Sequence, residues 1–118
     1  MKLMDSLLNS LMTELRRGTL TLAVLSQLDT PQYGYSLVQR LEEGGIAIEQ
    51  STLYPLLRRL EKQELVTSSW DTSESRPRRY YVLSDYGTEV YKELKKEWER
   101  STQDLRGLLK GDGKDEPD

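Results

Sequence analysis

The apolar residues of this 118-residue chain change their spacing twice, and this limits the folds open to it more than any other feature. They recur at helical intervals up to Lys62, alternate from Val66 to Leu83, and return to helical spacing as far as Leu109. A group of helices, one hairpin and a long last helix are therefore predicted. The fold class is mainly α with a small antiparallel β hairpin.

Taken in order, Leu7, Leu8, Leu11, Met12 and Leu15 predict a first helix over residues 5–16, which stops at Arg16-Arg17-Gly18, a basic last turn followed by glycine. Thr19 opens a second apolar segment, Leu20 to Leu28. Asp29-Thr30-Pro31 breaks the pattern, Tyr33-Gly34-Tyr35 restarts it, and Leu37, Val38 and Leu41 form a short helix ending at Gly44-Gly45. The central helix follows, Gln50 to Lys62. Its Leu53, Leu56, Leu57 and Leu60 gather on one stripe and must pack inward, while Tyr54, Arg58 and Lys62 recur at i, i+4, i+8 on the other side. Ser51 or Thr52 is expected to cap it, with Pro55 at or beside the last position whose N–H has no intrahelical partner. Two compact helices joined by a glycine-containing turn, the second with a polar outer face, have the layout of a helix-turn-helix. The outward hydroxyls and cations suit phosphates and base edges; an ordinary solvated surface helix is the plainer alternative.

Beyond Lys62, Val66, Ser68 and Trp70 predict one strand and Arg79, Tyr81 and Leu83 another. The polar loop Asp71 to Pro77 between them projects like a wing. Arg76, Arg78 and Arg79, with Tyr80 beside them, make the densest positive patch in the chain and are candidate phosphate contacts. Ser84-Asp85 can cap a last helix running to about Leu109, in which Val90, Tyr91, Leu94, Trp98, Leu105, Leu108 and Leu109 keep a near-heptad seam. Such a seam seeks a partner helix, and a homodimer is expected. The domain plan is a DNA-binding unit over 1–83, a dimerisation helix over 84–110 and a disordered acidic tail over 111–118.

Composition narrows the chemistry. With no Cys there are no disulfides or thiolates, and with no His the commonest general base and metal ligand are missing. No Gly-rich phosphate loop, carboxylate pair or metal-ligand spacing appears, so no enzyme, cofactor or metal is expected. The net charge of -3 argues against nucleic acid only until it is located. Asp112, Asp115, Glu116 and Asp118 against Lys114 supply all of it, and residues 1–111 are neutral overall. No apolar run approaches ~18 residues and the N-terminus lacks a cleavage pattern, so a cytoplasmic protein without a membrane span is expected.

Together, Leu22-Ala23-Val24-Leu25, Tyr33-Gly34-Tyr35, the run Ser51 to Glu61 with its Thr52-Leu53-Tyr54-Pro55, and Arg78-Arg79-Tyr80-Tyr81-Val82-Leu83-Ser84 with Gly87 form a recognisable pattern. The chain resembles the PadR family of bacterial transcriptional regulators over about residues 14–90. The resemblance implies a winged helix-turn-helix and a homodimer joined through the last helix with help from the first, acting as a repressor on double-stranded DNA at a palindromic operator. By the same likeness Ser51, Thr52, Tyr54 and Arg58, with Lys62 on the same face, would contact DNA from the recognition helix, and Arg76, Arg78 and Arg79 from the wing. Leu8, Leu11, Val90, Leu94, Trp98 and Leu105 are the interface candidates. Two positions depart from the family: Glu64 and Ser75 stand where it usually has glycine, and Glu64 puts the left-handed cap of the recognition helix in question. Trp98 is either a plain seam anchor or a place where a small aromatic effector stacks. A winged-helix module that binds protein instead of DNA is the alternative function.

Overall fold

A computed structural model of the chain describes residues 2–114. Helix α1 spans Lys2–Ser26, strand β1 is the pair Gln32–Tyr33, and helices α2 and α3 span Gly34–Glu43 and Gln50–Lys62. Strands β2 (Val66–Asp71) and β3 (Arg78–Leu83) form the hairpin, and helix α4 runs from Asp85 to Lys114. The sheet is antiparallel with strand order β1-β3-β2. The mainly helical class is therefore present, with one strand more than the hairpin. Strand β1 pairs Gln32 with Tyr81 and Tyr33 with Tyr80. Two residues are too few to display an alternation, which is why the sequence hides it.

The core lies where α1, α2 and α3 meet the sheet. Val24 and Leu25 of α1, Leu28 just past its end, Leu37 and Leu41 of α2, all four stripe leucines of α3, and Val66 and Tyr81 of the sheet are buried together. Each such side chain contributes about 1.5–3 kcal/mol relative to exposure, so the leucine stripe alone fixes which side of α3 faces out.

Four local expectations change. The first two helices are one: α1 passes straight through Gly18, where an added Cβ would meet nothing within 4 Å. The glycine costs about 1 kcal/mol against alanine, which the burial of residues 20–26 on the same helix offsets. The Thr19 hydroxyl donates back to the Arg16 carbonyl at 2.9 Å instead of capping a new helix. At the start of α3 the cap position is Glu49, whose carbonyl accepts from the N–H groups of Thr52 and Leu53 at 3.0 Å, and no side chain caps. Ser51 and Thr52 therefore lie inside the first turn, and Pro55 lies within the helix, where its missing N–H leaves the Ser51 carbonyl without its usual donor.

At the other end of α3 the left-handed cap forms despite glutamate. Glu64 has φ 64°, and Leu65 and Glu64 donate to the carbonyls of Leu60 and Glu61 at 3.0 and 2.9 Å, the paired bonds of a Schellman turn. The strain is of order 1 kcal/mol, and the Ser84 hydroxyl donating to the Glu64 carbonyl at 2.7 Å helps to hold it. Ser84 also caps α4 as expected: its Oγ accepts from the Gly87 N–H at 2.8 Å. Helix α4 continues beyond Leu109, so residues 111–114 of the expected tail are helical, while residues 115–118 lie outside the described residues.

Candidate nucleic-acid interface

With its leucines buried, α3 presents Ser51, Thr52, Arg58, Arg59 and Lys62 to solvent. Tyr54 differs: it is half-buried, its ring against α2 at Gly34, where an added Cβ would come within 2.6 Å of the ring. Gly34 is glycine because the two helices meet there, and Tyr54 is as much a packing residue as a surface one. The sequence placed it wholly outward because a tyrosine at that spacing has an apolar body and a polar tip, and only the tip need reach water.

The wing loop, residues 72–77, is exposed throughout. Tyr33 and Tyr35 at the start of α2, Gln50 and Tyr54 from α3, and Arg76, Arg78 and Arg79 from the wing and β3 line a single groove. Arg58 and Lys62 continue along the exposed side of α3 outside its lining. Tyr35 and Gln50 were not among the sequence candidates. Tyr35 is an exposed aromatic at a helix start and Gln50 opens α3, signals that composition and periodicity pass over.

The three wing arginines divide. Arg76 and Arg78 are exposed, and the Arg78 guanidinium lies over the Tyr33 ring at 5.2 Å. Arg79 is exposed too but has partners of its own. It pairs with Glu61 at 3.2 Å, donates to the Ser68 hydroxyl at 2.8 and 3.0 Å, and sits 5.7 Å from the rings of both Trp70 and Tyr81. Residue alternation puts Arg79 on the α3 side of β3, with Tyr81 and Leu83, so its cation neutralises the one acid of α3 while it still borders the groove beside Arg76 and Arg78. Ser68 completes the bridge by donating to Glu61 at 2.6 Å.

Across the sheet, Tyr33 donates from its hydroxyl to Asp71 Oδ2 at 2.6 Å, while the Ser73 N–H and hydroxyl donate to Oδ1 at 3.0 and 2.7 Å. These bonds, Tyr33's foremost, hold the Asp71 carboxyl down to about 2, and the same bond raises the Tyr33 hydroxyl.

The interface candidates also divide. Val90 and Tyr91 pack on the core of their own chain and stay partly exposed. Leu8, Leu11, Leu94, Trp98 and Leu105 are all exposed, joined by Met4, Leu7 and Leu15 on α1 and by Leu108 and Leu109 on α4. Helices α1 and α4 pack against each other, so these residues lie on two adjoining helices.

Residues 21–93 match the family described as Transcriptional regulator PadR-like family. The transcriptional regulator Rv3488 of Mycobacterium tuberculosis is 30% identical over 97 residues, covering 81% of this chain and 91% of that protein. The crystal structure of a PadR family transcriptional regulator from Eggerthella lenta superposes with a TM-score of 0.84 at 47% identity, covering 92% of this chain and 97% of the other. Bacillus subtilis PadR, in complex with operator DNA, shares the fold at a TM-score of 0.59 and 22% identity, over 64% of this chain and 44% of that one.

Proposed function

Because the chain belongs to the PadR-like family of transcriptional regulators, whose members are not enzymes, we propose that it binds double-stranded operator DNA through α3 and the wing, as a homodimer that represses the genes it sits beside. The observation that carries this reading is the groove in which Tyr35, Gln50, Tyr54, Arg76 and Arg78 converge next to the exposed Ser51, Thr52 and Arg58. A helix of major-groove width flanked by two exposed wing cations suits a duplex, with base edges met by α3 and phosphates by the wing. Ser51, Thr52 and Arg58 take the reading role, Tyr54 contributes through its hydroxyl, and Lys62 at the last turn of α3 meets backbone. Arg79 serves by screening Glu61 from the phosphates. Two copies joined through α1 and α4 impose two-fold symmetry, hence a palindromic operator with half-sites about one helical turn apart.

A gel-shift with the DNA upstream of the chain's own gene tests the reading, and two variants separate its parts. Arg58→Ala is expected to cost about 1–3 kcal/mol on that DNA and to relax preference at one position. Arg78→Ala is expected to weaken all sequences alike and to lower the salt slope by about one unit. Equal losses for Arg58→Ala on upstream and random DNA would remove it from the reading role.

Trp98, 44% exposed in the single chain and midway along α4, supports a place for a flat aromatic effector between the two copies. Filling such a gap would change the separation of the reading helices and relieve repression. Planar aromatic compounds titrated against a Trp70→Phe variant, in which Trp98 alone reports, are expected to quench fluorescence and loosen the DNA complex. If neither changes, Trp98 is a seam anchor.

A further inference from the structure

The Tyr33 side chain touches both ends of the wing. Its hydroxyl donates to Asp71, the last residue of β2, at 2.6 Å. Its ring carries the guanidinium of Arg78, the first residue of β3, at 5.2 Å and meets Tyr80 edge-on at 5.9 Å between centroids. Asp71 passes the restraint into the loop by accepting twice from Ser73. Tyr33 itself is fixed, because its N–H donates to Ser36 Oγ at 3.0 Å as α2 begins and β1 pairs it with Tyr80. A hairpin loop alone has few contacts to set its direction, whereas these bonds refer the wing to the start of the helix-turn-helix.

We propose that Tyr33 is the positioning residue of the wing: by bonding Asp71 and supporting Arg78 it fixes where Arg76 and Arg78 meet the nucleic-acid backbone relative to α3. This rests on the DNA-binding reading above. Tyr33 borders the groove, and its proposed part is to remove the freedom the wing arginines would otherwise lose on binding.

The test uses the full chain, a mixed-sequence DNA duplex as probe, and four proteins: wild type, Tyr33→Phe, Arg78→Ala and the double variant. Tyr33→Phe keeps the ring under Arg78 and removes only the bond to Asp71. It is expected to weaken duplex binding about tenfold and to flatten the salt dependence by up to about one unit. The thermal midpoint should stay within about 3 °C, since one part-buried side-chain hydrogen bond contributes only modestly to stability. In the Arg78→Ala background the same change is expected to add almost nothing, because the two act as a unit. NMR titration of the Asp71 carboxyl, with Arg78 and Glu74 the other charges acting on this pair, should show it rising from about 2 towards its ordinary value in Tyr33→Phe. Additive losses, or full duplex affinity despite that rise, would overturn the proposal while leaving the wing in contact with DNA. If Arg78→Ala loses no affinity, the wing's role fails and the proposal with it.

Discussion

Gly87→Ala is expected to lower the melting temperature by on the order of 10–20 °C, the loss of about 2–3 kcal/mol that overpacking against an immobile neighbour costs. A Cβ on Gly87 would overlap the carbonyl oxygen of Leu65. That carbonyl cannot move aside, since it accepts from the Ser84 N–H at 3.0 Å and the Ser84 hydroxyl at 3.2 Å, while Leu65 itself closes the Schellman turn onto Leu60. Relief would require tilting α4 away from the junction of α3 and β2, taking Val90 and Tyr91 off the core. Gly18→Ala is the control: it lies in open space and should raise stability by about 1 kcal/mol, so circular dichroism melts of the two variants should move in opposite directions. An unchanged melt for Gly87→Ala would mean that the close approach does not hold in solution.

The second large effect is expected from Leu94→Asp. Leu94 is 39% exposed in the single chain, on the stripe of α4 that continues through Trp98 and Leu105. If a second copy covers that stripe, the substitution buries an unpaired carboxylate and the dimer falls apart. Light scattering at micromolar concentration should then return the mass of one chain. Operator affinity should drop by about 10²–10⁴, the gain that joining two half-site binders supplies. A variant that keeps the dimer mass would move the interface elsewhere.

How much of this was legible in the sequence depended on how far each signal extends along the chain. The leucine stripe of α3, the alternation in β2 and β3, and the Ser84 cap are written in local spacing, and they appear where that spacing put them. Gly18 misled because a glycine after two arginines has the local form of a helix end, while the apolar contacts that carry α1 onward come from residues distant in sequence. Glu64 misled in the opposite direction: its local preference disfavours φ 64°, yet the fixed Leu65–Leu60 and Ser84 bonds impose it. At the candidate site, spacing gathered Ser51, Thr52 and Arg58 on one side of α3, but it could not distinguish Arg78 from Arg79. Only the strand's facing decides that one stacks outward on Tyr33 and the other is drawn to Glu61. Tyr33 and Asp71 are separated by 38 residues, and nothing in either neighbourhood announces their bond.

Helix α1 is one rod with two thermodynamic conditions. From Leu20 onward it is ordered by its own chain's core, whereas between Met4 and Leu15 nearly every side chain faces water and Gly18 weakens the join. A helical stretch of that length is marginal by itself, so the free energy that keeps it wound comes from whatever covers it. If a second copy covers it, association and folding of this segment become a single equilibrium governed by mass action. Its stability would then be indexed by its own concentration, and dilution would lower both its proposed occupancy of DNA and its resistance to proteolysis.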